Sequence, residues 1–340
     1  MLLPLMCVNA NAHDFMVVVG EQNVCFNIKD AKKQTVEVTY RGKISAKQSA
    51  NYEGELTIPA KVRVGNTVYS VVGIGPKAFC GAEKLTGIVM PSGVTTIGDF
   101  AFEGCKSLSK IIFPGNNVKF GQGVFFKCDK IENVSFGSDW KTVDLKMFRW
   151  SDSLTTITIP AKMEQIRNMK SLKSLKSVSV DVNNTRFSTV DGVLYNHTRE
   201  TLYGCPRAYE GRLVVAAETK KVMGGALIDC LNVTSVDFPA NLEQMSFRDF
   251  SRMNRLSEVT FRGETPASTA MKGDNEVFLL QVANPNVEII VSKSAEKTYK
   301  KALVQDAGEY AEIGGKVPYT LKEDDMPLVK NIKGVKKFSE

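Results

Sequence analysis

A β-rich α/β repeat solenoid with one coil every 23 residues is the fold class this sequence predicts, from four series of positions. Phe79, Phe102, Phe125 and Phe148 fall 23 residues apart. Three further series keep that interval: Leu85, Leu108, Ile131, Leu154; Ile74, Ile97, Phe120, Val143; and Ile88, Ile111, Val134, Ile157. Four independent apolar positions sharing one period define a unit that buries its apolar side only by stacking on the next copy. Such a chain grows in one direction, so 340 residues require no second core.

Along the chain, residues 1–12 read as the remnant of an export signal. Ala10-Asn11-Ala12 satisfies the small-x-small cleavage rule and places the mature start at His13, although no Lys or Arg precedes the short apolar stretch. Residues 13–55 form a predicted N-terminal β-rich cap. Phe15–Val19, Cys25–Ile28 and Thr35–Tyr40 alternate with period 2 around Gly20 and the turn Lys29-Asp30-Ala31-Lys32-Lys33. Residues 56–263 carry the repeat, whose unit is Ile-x4-Phe-x2-Cys-x2-Leu-x2-Ile-x2-Pro and whose cleanest copy is Ile97, Phe102, Cys105, Leu108, Ile111, Pro114. In each coil Leu-x2-Ile-x-Phe/Ile-Pro reads as a short strand ended by proline, and Ile-Gly-x2-Ala-Phe as a turn or short helix on the opposite wall that carries the phenylalanine inward. The strands at 111–113, 134–136, 157–159, 236–238 and 259–261 are expected side by side in one parallel sheet.

The copy from Ile166 to Val180 is two residues short, and the unit restarts out of phase at Val222, Leu227, Cys230, Val233, Val236, Pro239. A projecting insertion is therefore predicted at about 181–210. After Phe261 the repeat decays into a C-terminal cap and polar tail over 264–340. There Val287–Ser292 reads as a last strand, followed by a helix started by Ser294, so the chain closes on a strand-helix cap.

A period in this range belongs to leucine-rich solenoids. The motif resembles the BspA-like leucine-rich repeats of bacterial surface proteins. Ile97-Gly98-Asp99-Phe100-Ala101-Phe102-Glu103-Gly104-Cys105-Lys106-Ser107-Leu108 and Leu154-Thr155-Thr156-Ile157-Thr158-Ile159-Pro160 carry the likeness. Phe187–Tyr195 with Thr201–Pro206 looks like that family's interrupting hairpin, and Tyr52–Pro59 like its opening segment. The resemblance implies a right-handed horseshoe. It also implies a non-enzymatic, adhesin-like role at the surface of a Gram-negative cell or associated with its outer membrane, contacting a protein or glycan macromolecule. With the Ala10-Asn11-Ala12 remnant, it points to export.

Composition narrows the classes. An apolar fraction of 43% with 24% charged residues fits a folded chain, and no apolar run reaches the roughly 18 residues of a membrane span. A net charge of +7 with acidic residues interspersed throughout is no nucleic-acid footprint. The two histidines are His13 and His197, and the sequence holds no G-x-S-x-G, G-x-x-x-x-G-K-S/T, G-x-G-x-x-G or H-E-x-x-H. No catalytic residue, cofactor or metal ligand is therefore assigned. Cys105, Cys128 and Cys230 share one repeat phase and read as small apolar core residues; stacking of coils also makes a Cys105–Cys128 bond conceivable.

Three surfaces remain as candidates for a partner. The outward strand positions run from Gly87 through Lys110, Asn133, Thr156 and Ser177 to Asp237 and Thr260. This small, hydroxylated strip without aromatic or arginine anchors reads either as an extended contact face or as a solvated sheet. Lys162, Arg167, Lys170, Lys173 and Lys176, opposed locally by Glu164 alone, form a basic zone. It reads either as a solvated face or as a binder of sulfated glycan or acidic protein. The insertion bears Tyr195, Tyr203, Arg207 and Tyr209, residue types enriched at interfaces. A purely structural spacer is the reading left if none of these binds.

Overall fold

A computed structural model describes residues 13–40, 52–113, 118–245, 250, 252–267, 286–302 and 331–338. The export-signal remnant, residues 41–51 of the cap, Pro114 and residues 303–330 lie outside the described residues. The chain falls into two compact units, residues 1–174 with 180–185 and residues 175–179 with 186–340.

In the first unit, Phe15–Val19, Gln22–Asp30 and Thr35–Thr39 form an antiparallel meander. Its last strand pairs in parallel with Thr67–Ile74, and Thr96–Ile97 and Lys119–Phe120 continue the ladder. The β-rich N-terminal segment is thus continuous with the first repeat strands. Its turn uses Gln34 at φ 52. On the opposite wall Glu53–Thr57, Lys84–Val89 and Lys110–Ile112 run parallel, with Ile88 opposite Ile111. Farther along, Val134 pairs with Ile157 on one wall and Val143 with Ile166 on the other. Each of these partners lies 23 residues away, so one period of sequence advances the chain by one strand spacing of about 4.8 Å.

Between the walls lies a column of rings. Phe79, Phe102, Phe125 and Phe148 are fully buried. Their centroids are 5.0, 5.2 and 5.1 Å apart with the planes within 14° of parallel. Tyr52 closes one end, 4.9 Å from Phe79. Offset stacking at this spacing adds about 1 kcal/mol per pair to the burial of each ring. The backbone carrying the column is bonded coil to coil, Phe79 N–H to Ala101 O at 2.7 Å and Phe102 N–H to Val124 O at 2.9 Å. The carbonyls of the column residues take a second donor from 26 residues on: Cys105 Sγ to Phe79 O and Cys128 Sγ to Phe102 O, both 3.1 Å, then Ser151 Oγ to Phe125 O, 2.6 Å. The repeat-phase cysteine is therefore a buried donor that serine replaces. All six described cysteines are free thiols. Burial, with Cys128 alongside, pushes the Cys105 thiol well above its ordinary pKa.

The second unit begins with the strands Phe187–Val190, Val193–Asn196 and Thr201–Gly204, paired antiparallel. Asp191 and Gly192 at φ 49° and 78° make the tight hairpin turn, which needs two left-handed residues. Thr201–Gly204 then pairs in parallel with Lys221–Val222. On the other side Glu210–Val214, Asn232–Phe238, Glu258–Phe261, Glu288–Ser292 and Ile332–Val335 form one parallel sheet. The segment around 181–210 was expected to be a projecting hairpin; Phe187–Val190 and Val193–Asn196 form that hairpin, and Thr201–Gly204 enters the ladder beside Lys221–Val222. Val193 and Leu202 within it are buried.

Three other expectations are corrected. The repeat strands do not share one sheet: 110–112 pairs with 84–89, and 133–135 pairs with 156–159 in a separate ladder. Strands of three residues make so few hydrogen bonds that a small shift between coils interrupts the ladder. The helix at 296–302 follows a hydroxyl cap, but Ala295 N–H donates to Ser292 Oγ at 3.1 Å, while Ser294 Oγ donates to Glu264 at 2.7 Å. The tail residues Ile332–Val335, read as polar and outside the repeat, supply the last strand of the sheet.

Candidate functional site

The residues singled out by sequence reasoning divide on exposure. Tyr195 is fully buried, its hydroxyl accepting from Ala216 N–H at 3.3 Å, and burial pushes the phenol far above its usual pKa. It is a core residue, as its neighbours Val193 and Leu194 imply. Arg207 pairs with Asp229 at 3.3 Å, with both side chains less than a fifth exposed. Tyr209 is half-buried and its hydroxyl donates to Arg212 O at 3.4 Å. Tyr203 alone of the four is exposed, at 41%, edge-on to Phe187.

Two of the five cations of the basic zone are neutralised by carboxylates. Lys162 Nζ lies 2.6 Å from Asp139, and Lys141 takes Glu164 at 3.4 Å. Lys176, in the second unit, takes Glu210 at 3.2 Å. Arg167 donates to Gln165, and Lys170 sits in the one-turn 3-10 helix Met169–Ser171. Lys173 Nζ stands 4.0 Å from the centroid of the Trp150 ring. Counting only local neighbours missed Asp139, which is one period earlier.

The outward strip is also different from its expected form. Asp237 and Thr260 are buried. Arg262 grips Asp237 with two hydrogen bonds of 2.8 Å, and Arg212 adds a third at 2.7 Å. Phe338 lies against Arg262, 5.2 Å from ring centroid to guanidinium, and a small cleft of about 190 Å³ remains beside them. Burial alone raises the Asp237 pKa, but the hydrogen bonds from Arg262 and Arg212 and their charges outweigh it, so the carboxyl titrates below its ordinary value. The last strand and Phe338 cover this end of the strip, which is why these positions left the surface.

A further opening lies on the turn wall of the first unit. It is an open groove of about 610 Å³, within the range of ligand sites, and its apolar lining includes Phe100, Phe120, Phe126 and Trp150. Phe100 and Phe126 meet edge-on at 6.5 Å. Trp150 is 42% exposed. Two carboxylates line the groove. Asp99 Oδ1 accepts from Gln122 N–H at 2.7 Å, and Asp144 Oδ1 accepts from Lys146 N–H at 2.9 Å and from Asn168 at 2.8 Å. Cations rest on the rings instead of on carboxylates: Lys127 is 5.1 Å from Phe126, and Arg149 is 5.2 Å from Trp150.

The repeat explains how Trp150 comes to stand there. Gly81 and Gly104 have φ of 74° and 72°, and the same turn position one and two coils on is Lys127 at 57° and Trp150 at 72°. Glycine enters this region freely, whereas a bulky side chain is strained there. The substitution was visible in the sequence as glycine, glycine, lysine, tryptophan at 81, 104, 127 and 150, a series that core-directed reading passes over.

Family comparison agrees with the repeat geometry. The BspA type leucine rich repeat region matches in six copies, over residues 67–190 and 213–270. The chain belongs to this family. Among solved structures, the pneumococcal vaccine antigen PcpA is similar with a TM-score of 0.50 at 16% identity, covering 84% of this chain and 96% of that one. A leucine-rich repeat protein of Eubacterium ventriosum is similar at TM-score 0.46 and 18% identity, covering 79% of this chain and 76% of its own. A leucine rich cell surface protein of Faecalibacterium prausnitzii follows at TM-score 0.34 and 17% identity, with 83% and 97% covered. At such identities the PcpA likeness bears on the fold alone. No curated protein matches the chain. Among the described residues no helix is long and apolar enough to cross a membrane.

Proposed function

We propose that this BspA-type chain is a non-enzymatic, adhesin-like binding protein of the bacterial cell exterior that recognises a macromolecule from its leucine-rich framework. The observation that carries the reading is the 610 Å³ groove, where an exposed tryptophan occupies a strained turn position that glycine holds in earlier coils. Backbone strain retained on a rigid scaffold is characteristic of binding sites. The reading takes the chain as a right-handed horseshoe of 23-residue coils at 56–263, with a β cap at 13–55 and a strand-helix cap beyond 264. It also takes the chain as exported, with His13 the mature N-terminus. The groove replaces the Tyr203, Arg207, Tyr209 surface as the recognition element, because Arg207 is engaged by Asp229 and Tyr209 is half-buried.

The test is a panel of extracellular-matrix proteins and glycans, captured by purified protein at low and at physiological salt. Retention of a ligand at physiological salt supports the reading, since capture by exposed charge alone fades over the Debye length of about 8 Å. No capture of any partner by folded protein leaves a structural spacer. N-terminal sequencing of cell-associated material tests export, and a retained Met1 on cytoplasmic protein refutes it.

A further inference from the structure

The groove beside Trp150 has a chemistry narrower than "macromolecule". We propose that it binds a saccharide bearing a carboxylate, of the uronic-acid type; this rests on the binding role argued above. Three features of the lining converge on that class.

The first is the rings. Phe100, Phe126 and Trp150 offer apolar faces that are only partly covered, and the C–H face of a pyranose is the complementary flat surface. The second is the acceptors. One oxygen of Asp99 and one of Asp144 are taken by protein donors, all of them on Oδ1. Both carboxylates are exposed and line the groove, so their second oxygens are open to outside donors, and vicinal sugar hydroxyls are such donors. The third is the cations. Lys146 and Arg149 line the groove, and Lys127 and Lys173 lie beside it on the rings of Phe126 and Trp150; none of the four has a carboxylate partner among the described residues. By contrast Lys106, Lys110, Lys141 and Lys162 in the same unit all do.

These features exclude alternatives by their combination. A neutral sugar would use the rings and acceptors and leave the cations without an anion. A sulfated polyanion or an acidic peptide would meet the cations and be repelled by Asp99 and Asp144, having few hydroxyl donors to offer them. A hydroxylated ring with one carboxylate uses all three. Its carboxylate would sit against Arg149, whose planar guanidinium can offer two parallel N–H donors to it.

The experiment is isothermal titration of the purified full chain with oligogalacturonate, with a neutral maltooligosaccharide, with dextran sulfate fragments and with poly-glutamate at physiological salt. Trp150→Gly and Arg149→Ala are measured alongside, and circular dichroism verifies their fold. Saturable oligogalacturonate binding is expected. It should weaken at least about tenfold in Trp150→Gly, and the neutral sugar should bind about tenfold more weakly than the uronate. Equal binding in wild type and Trp150→Gly overturns the site. Preference for poly-glutamate, dextran sulfate or the neutral sugar overturns the ligand class. If no saccharide binds while the panel still captures a matrix protein, the saccharide proposal falls and the binding role stands. If the panel is also blank, both fall.

Discussion

Each unit places an arginine over an aromatic ring at the same distance, and the surroundings make the two pairs opposite in kind. In the first unit Arg149 lies 5.2 Å from Trp150, and no carboxylate among the described residues pairs with it. In the second, Arg262 lies 5.2 Å from Phe338 while holding buried Asp237 through two hydrogen bonds. The second is closed in charge: Asp237 is buried and both of its oxygens take guanidinium donors. The first is open, with an exposed ring and cations whose charge has no fixed counterpart. A cation–ring contact therefore says little about function until its anion is found. The cores differ in a parallel way. The first unit stacks its four phenylalanines face to face, whereas in the second Phe250 meets Phe238 edge-on at 6.1 Å.

The largest effect expected from breaking this comparison is in the ring column. Phe125→Ala removes a fully buried ring with stacked neighbours on both sides, and should cost about 3–5 kcal/mol in urea unfolding. The double variant with Phe102→Ala should show a coupling of about 1 kcal/mol. Additive losses would mean that the rings pack independently and that the column is only a set of buried side chains.

That column was the most legible part of the molecule, because a strict period leaves the phenylalanines no second interpretation. The ladder partners were legible by the same device. Lys162 finds Asp139 and Lys106 finds Glu83, each one period earlier, which a scan of adjacent residues cannot show. Tyr195 was misread because tyrosine near a hairpin resembles an interface residue, though it is flanked by Val193 and Leu194. The role of residues 201–214 was hidden for a stronger reason. Parallel pairing with strands 20 or more residues away leaves no local pattern, and only the need to cover Leu202 and Leu213 hints at it. Asp237 looked like a surface position because alternation assigns a face and cannot reveal what later covers that face.

The closed site gives the next effects. Arg262→Ala leaves Asp237 buried with Arg212 alone, and should destabilise the chain by about 2 kcal/mol, less than the loss of a sole partner because Arg212 remains. Arg262→Lys should recover little of it, since an ammonium cannot repeat the two-point contact. Acid addresses the same group. The Asp237 carboxyl is held below its ordinary value of 3.8, so the folded state binds this proton less readily than the unfolded chain. Its contribution is complete above pH 3.8 and is lost as pH falls through the lower folded value. Urea midpoints measured between pH 5 and 3 should fall more steeply in wild type than in Asp237→Asn, and parallel slopes would remove the ion cluster as their cause.

The smallest stability change is expected at the open site, and its smallness is what separates the two. Trp150→Gly loses the ring contacts with Arg149 and Lys173, which are partly exposed and contribute about 1 kcal/mol or less each. It also relieves a bulky residue at φ 72°, a conformation that Gly81 and Gly104 adopt without strain in earlier coils, and that relief is of the same order. The two terms oppose, so the unfolding free energy should move by less than about 1 kcal/mol in either direction. Trp150→Ala keeps the strain and loses the ring, and should be the less stable of the two variants. If Trp150→Gly instead destabilises the unit as much as a column phenylalanine does, the tryptophan is part of the core and the groove is not a site. If it is neutral, the ring is held in a strained turn for something other than stability.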